Sequence, residues 1–594
     1  MASSPIQKDT NLVSFIITSD GTEIPETYGI LDIRIEQFVN RIAQAEITVR
    51  DGSTADETFE ITDSSTFKPG AEIEIKLGYE SDNESIFKGI VIKQIIKIDD
   101  HSGSKLQILC KDESLKLTIN RKNAIFTDIK DSDLIGKLAG EYGLSNDIVA
   151  TTVTHKEVVQ YYCTDWDFII NRAEINGLIV TTESGKLVVA KPDVSAEPQL
   201  EVQYGYDILE FDGEVDATNQ YSGIKGNAWD MSTQSVINAS AAEPTVNKQG
   251  NITGSTLAEV LGSGDLDLNT STPITQDDVQ TWADAALLKS RLSRFKGSVT
   301  FQGSAKAKVN SNIGLKGLGE RFNGNAFITG VIHILEEGRW NTEVKIGLSP
   351  EWFAEKHPLT APNASGLIPG IKGLQTGIVK KMYEDPDNEF RVQVEIPILG
   401  ADGEAVWARL STFYNGSGIG AYFMPEVNDE VILGFMNDDP RFPVILGSVY
   451  SSSIAAPETP DEKNTIKTIV TQSKLQLKFD DDKKEITVLT PGGNTMVLSD
   501  DAKGITLTDQ SDNTIIMGTD GVTVESKSSL TLKAATSVDI RGATISIDGD
   551  QSISASAGSV SISGDMSTTV SGSASCEISS DGQMSVKGSI VMVN

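Results

Sequence analysis

The chain has 594 residues, too many for one hydrophobic core at roughly 100–200 residues per domain, so three to five domains are expected. With 39% hydrophobic and 23% charged residues it reads as folded rather than disordered. Its 84 acidic against 50 basic residues leave a formal charge of −34, which excludes a phosphate backbone as a partner, so no nucleic acid is expected. No apolar run approaches the roughly 20 residues that a helical membrane span needs.

In chain order, "MASSPIQKDTNLVSFIITSDG" lacks a basic segment followed by an apolar one, and the expected place of synthesis and folding is the cytosol. Residues 1–115 alternate as half-buried strands, among them "LVSFIIT", "GILDIRIEQFV", "AEIEIKLGY" and "FKGIVIKQIIKI", the spacing of a small barrel or sandwich. Residues 116–215 change texture. "DSDLIGKLAGEYGLS" predicts a helix with Gly143 just past its end, and "CTDWDFIINRAEINGLIV" predicts a second, capped by Thr164 with Asp167 at its third position. The strands "LIVTT" and "LVVAK" around "ESGK" complete a compact α+β unit.

Residues 216–365 hold the helix "TQDDVQTWADAALLKSRLSRF" and further strands. Within them "RFNGNAFITGVIHI" echoes "IFKGIVIKQIIKI", which is consistent with a duplicated barrel or with a shared strand-turn grammar. After a Pro- and Gly-rich linker, residues 366–455 carry short, Gly-punctuated apolar strands that fit a five-stranded barrel. Residues 456–594 end in octads. The pattern [Ile/Val]-x-Gly recurs at Ile540, Ile547, Ile562, Val570 and Val586, with Val524, Leu532, Ala555 and Ile578 filling the period, and little but Ser, Thr, Gly, Ala and Asp lies between. One octad cannot bury its apolar face, so two solutions remain: a single-chain solenoid, or three chains sharing one axis. In the second the core residues are Ile540, Ile547, Ile562, Val570, Ile578 and Val586.

Candidate chemistry is sparse. Cys110, Cys163 and Cys576, and His101, His155, His333 and His357, lie too scattered for a metal centre, and no cofactor is expected. "NGSGIG" reads as a turn rather than a phosphate cradle, and "FDDDKKE" and "DGDQ" as solvated turns. Asp165 and Asp167 of "DWDF" fall in a first helical turn, where the dipole favours negative charge, and are read as structural. The end "GSIVMVN" places Ile590, Val591, Met592 and Val593 in an apolar patch closed by Asn594, which suits docking of a partner or closure of the last repeat turn.

"VWARLSTFYNGSGIGAYFMPEVNDEVILGFMNDDPRFPVILGSVY" (406–450), "TDWDFIINRAEINGLIV", "RFNGNAFITGVIHILEEGRWNTEVKIGLSP" and the octads together resemble the VgrG-type spike proteins of type VI secretion and of phage-tail-like contractile injection systems. The resemblance spans essentially the whole chain. It implies a mainly β, multidomain protein: two hub β-barrels with an α+β insertion, an OB-fold barrel, and a C-terminal intertwined trimeric β-helix as needle. It implies a homotrimer, an Hcp-like hexameric tube protein at the hub, a PAAR-like tip protein at the C-terminus, baseplate partners and effector cargo. The spike would assemble in the cytoplasm, be ejected toward the target cell, and meet the target membrane only on firing. Relatives that carry an enzyme hold it before or after the needle. Here about 15 residues separate Tyr450 from Ile466 and none follows Asn594, so no enzymatic activity is expected. The competing readings are a trimeric tailspike acting on surface polysaccharide and a surface adhesin.

Overall fold

The computed structural model describes residues 2–6, 12–101, 103–400 and 404–593. The chain divides into two compact units, Met1–Ser448 and Val449–Asn594.

In the first unit a 13-stranded sheet takes up the strands expected of both hub barrels. The N-terminal half packs Ile33, Ile35, Ile47, Phe67, Ile73, Ile75, Phe87 and Ile108 into one core. The later half packs Val299, Phe301, Ile313, Ile328, Val331 and Val344 into another. These cores arise because alternate residues of each strand point to one face, so the period-2 pattern becomes one buried side. The halves are not separate barrels joined by loops. Strand Ile30–Phe38 pairs antiparallel with strand Gly324–Glu336, from Gly330↔Phe38 to Glu336↔Asp32.

The α+β unit is smaller than the sequence suggests. Strands Leu200–Gln203 and Ile208–Val215, expected within residues 116–215, pair instead with Ser311–Lys316 and Phe295–Gln302 of the large sheet. Their partners lie about 80–110 residues downstream, and alternation alone cannot name a partner at that distance. What remains is helix Asp131–Glu141, helix Asp165–Ile175, a two-stranded ribbon (Arg121–Lys130 with Thr154–Thr164) and a three-stranded sheet built on the expected hairpin. A further three-stranded sheet, Gly223–Asp230 with Ser235–Ser240 and Asp265–Thr270, contributes apolar side chains that pack on helix Gln276–Leu292. Strands Gln375–Lys381, Val392–Glu395, Val406–Leu410, Glu430–Phe435 and Pro443–Ser448 close into the five-stranded barrel around Val379, Val394, Ala408, Leu433 and Ile445.

The second unit opens with a seven-stranded antiparallel meander, Ile466–Val470 to Gly521–Glu525. Among the described residues beyond Glu525, where the octads lie, the chain forms no strand with itself.

Candidate functional site

Each meander strand is five residues long with apolar side chains at its second and fourth positions, Lys467 excepted. Antiparallel register aligns them into two rows. The first runs Ile469, Leu477, Val488, Met496, Leu507, Ile515, Val524, each paired with the next. The second runs Phe479, Ile486, Leu498, Ile505, Met517, Val522. Since strand side chains alternate between faces, both rows share one face. The opposite face is largely polar, through Thr468, Lys478, Thr487, Thr506 and Thr523. The sheet is one layer thick, and Ile469, Val488, Ile515 and Val524 remain 38–49% exposed. A continuous apolar face of this length in water marks an interaction surface.

The same two-residue spacing continues into the octads as Leu530/Leu532, Val538/Ile540, Ile545/Ile547, Ile553/Ala555, Val560/Ile562, Thr568/Val570, Cys576/Ile578 and Met584/Val586. All six residues predicted as needle core lie on this beat, and all are 62–78% exposed in the single chain. Sequence reasoning missed their i−2 companions and the whole meander face, which strict alternation across each five-residue strand could have revealed. Of the predicted docking residues, Val591 and Val593 continue the beat seven residues after Met584 and Val586, while Ile590 and Met592 have the opposite parity. All four are exposed, and Asn594 lies outside the described residues.

The groups weighed for chemistry are tied into the fold. Asp165 is fully buried and accepts hydrogen bonds from Tyr142 Oη (2.6 Å) and Gln160 Nε2 (2.8 Å), with Lys122 Nζ at 2.8 Å. Asp167 donates its backbone N–H to Thr164 Oγ1 at 3.1 Å, the expected cap. His333 is buried against Thr342, and burial drives its pKa down to about 3, so the ring is neutral at physiological pH. Burial pushes the Cys110 thiol up to about 12, and Cys163 is raised by burial and by Asp167 and Asp165. Cys576 is exposed. "NGSGIG" forms a two-stranded turn pairing Asn415 with Gly420, and Asp480 of "FDDDKKE" accepts from the backbone of Asp482 and Lys483. Among the described residues no group of three His, Cys, Asp or Glu could hold a metal ion.

Residues 9–337 match the family model for the Alg8 N-terminal domain, and residues 375–450 match the type VI secretion system/phage-baseplate injector OB domain. The chain is 33% identical over 106 residues to the type VI secretion system spike protein VgrG3 of Vibrio cholerae, covering 16% of this chain and 10% of that protein. It is 30% identical over 121 residues to the spike protein VgrG5 of Pseudomonas aeruginosa, covering 19% and 15%. The chain thus spans only about a tenth to a seventh of the length of these curated relatives. Among solved structures, the 43 kDa tail protein of prophage MuSo2 from Shewanella oneidensis aligns with 57% of this chain and 98% of its own, at 11% identity and a TM-score of 0.43. With the first match covering more than half of its length, the chain belongs to the Alg8 N-terminal domain family, carries an injector OB domain behind it, and is a homologue of the VgrG-type spike proteins.

Proposed function

We propose that this chain is one third of a homotrimeric spike that punctures a target cell envelope when a contractile injection system fires. The observation that carries the reading is the unbroken apolar face from Ile469 to Val524 and its continuation to Val593. A single layer covers neither that face nor the backbone groups of the octads, and an unpaired backbone group out of water is costly. Three copies around one axis supply both, with the Ile and Val pairs inside and Ser, Thr and Asp outside. Fully burying one such Ile or Val contributes about 1.5–3 kcal/mol, and each octad level would bury several.

In this reading the large sheet of the first unit is the hub that seats on a hexameric, Hcp-like tube, and baseplate proteins and effector cargo gather around it. The octads are the needle, with a PAAR-like tip protein at its end. Assembly takes place in the producing cell, and the spike leaves toward the target. The work is mechanical, and the chain acts without catalysis. Asp165, the buried carboxylate nearest to a catalytic pattern, is held by Lys122, Tyr142 and Gln160, which suits anchoring.

Light scattering of the purified chain, before and after SDS at room temperature, tests the reading. A mass near three times 63.8 kDa that persists in SDS is expected. A monomer at micromolar concentration would overturn it.

A further inference from the structure

Residues 411–425, between barrel strands Val406–Leu410 and Glu430–Phe435, contain no Asp, Glu, Lys or Arg, in a chain with 23% charged residues. The segment is a built tongue. Its base is fixed where Ser411 N donates to Ile445 O at 2.9 Å, and its arms where Ala421 N donates to Tyr414 O at 2.9 Å. Asn415–Gly416 pairs with Ile419–Gly420, and Gly420 adopts φ +146° where a Cβ would stand 2.8 Å from Tyr414 O. On this frame Phe413 (88%), Tyr414 (58%), Ile419 (61%), Tyr422 (78%) and Phe423 (60%) are exposed. At about 150–250 Å² per aromatic side chain, the four aromatics alone present roughly 600 Å², close to the ~800 Å² that one partner contributes to a stable interface.

We propose that this tongue is an interchain clasp that packs against the barrel of a second copy of the chain in the assembled spike; it rests on the trimeric reading above. The barrel exposes a second apolar pair on another loop, Ile398 and Leu399, by 77% and 60%. One protruding and one receiving patch on each copy are what a closed head-to-tail ring requires. The lack of charge is consistent with the core of such a contact, where charged residues are depleted. Positions 449–465 tether the barrel to the first needle strand, about 17 residues or at most ~60 Å of chain. Once three needles wind together, that tether holds the barrels at millimolar effective concentration, enough for a contact too weak to form between free chains.

Hydrogen exchange on the full-length chain, read alongside its solution mass, tests the clasp. In the wild type the amides of residues 411–424 should exchange at least about 10-fold more slowly than in a variant carrying Phe413→Ser, Tyr414→Ser, Tyr422→Ser and Phe423→Ser. Ile398→Ser with Leu399→Ser should release the tongue equally, and retained protection of Val431 and Leu433 would show that the barrel is folded in both variants. A three-chain mass with a tongue that exchanges as fast in the wild type as in the variant would overturn the clasp and leave the trimer standing. A one-chain mass would overturn both. Flotation of the wild type, but not the variant, with phosphatidylglycerol-containing vesicles would mean that lipid is the occupant and would also overturn the clasp.

Discussion

His333 sits fully buried beside Thr342, with its ring 5.7 Å from that of Trp340. Burial depresses its folded pKa to about 3, below the unfolded value near 6.5, so between those values the unfolded chain binds the extra proton. Stability should therefore fall as pH drops from about 6.5 toward 3, with His333 contributing a loss on the order of 2 kcal/mol by pH 5. Urea unfolding of the first unit at pH 7 and pH 5 should show this loss in the wild type and a smaller one in His333→Asn; equal losses would refute the assignment. Asp131 is governed differently. Burial works to raise its pKa, but Arg172, at 2.6 and 3.0 Å, together with Asn176 and His155, outweighs burial and holds the carboxyl below its usual range. Arg172→Met would strand that carboxylate and should cost about 3–5 kcal/mol in the same measurement. Cys576 shares its face with Ile578 on the octad beat. If three chains enclose that face, maleimide should label Cys576 only after boiling in SDS, whereas labelling of the native protein would count against the trimer.

At the scale of elements, local signals transferred well and distant ones did not. Thr164 caps helix Asp165–Ile175 as its sequence neighbourhood indicated, because a cap needs only residues three positions apart. Thr164→Ala should cost about 1 kcal/mol by thermal denaturation, and Thr164→Ser almost nothing. Gly143 adopts φ +70° just past the preceding helix, again a local requirement. The five-stranded barrel was equally legible, since its strands are short, consecutive and closed within about 75 residues. Strand Ile208–Val215 was legible as a strand but not as a member of the large sheet, because its partner Phe295–Gln302 lies beyond a three-stranded insertion and two helices. The second unit shows the same limit. The Ile and Val beat shows as a repeat period from Ile540 to Val586, whereas reversing strands hide the meander face from any fixed period and leave only the alternation within each strand to reveal it. Ile505, for example, pairs with both Leu498 and Met517.

At the scale of the whole molecule, the spike reading predicts that Ile540→Ser with Ile547→Ser abolishes SDS resistance while leaving the first unit's urea transition unchanged, since the two units are compact in their own right. A shifted transition would tie the octads to the stability of Met1–Ser448 and argue against an independent needle. If the chain is a spike that receives thrust, the pairing of Ile30–Phe38 with Gly324–Glu336 decides how the two halves of its large sheet share the load. Its seven residue pairs join the two halves of the large sheet through backbone hydrogen bonds rather than through loose surface contacts. A load directed along these strands strains the bonds of all seven pairs together, as in a lap joint bonded along its length. The two halves then give way in one event or hold as one body, and a push received by either half is delivered to the other without slack.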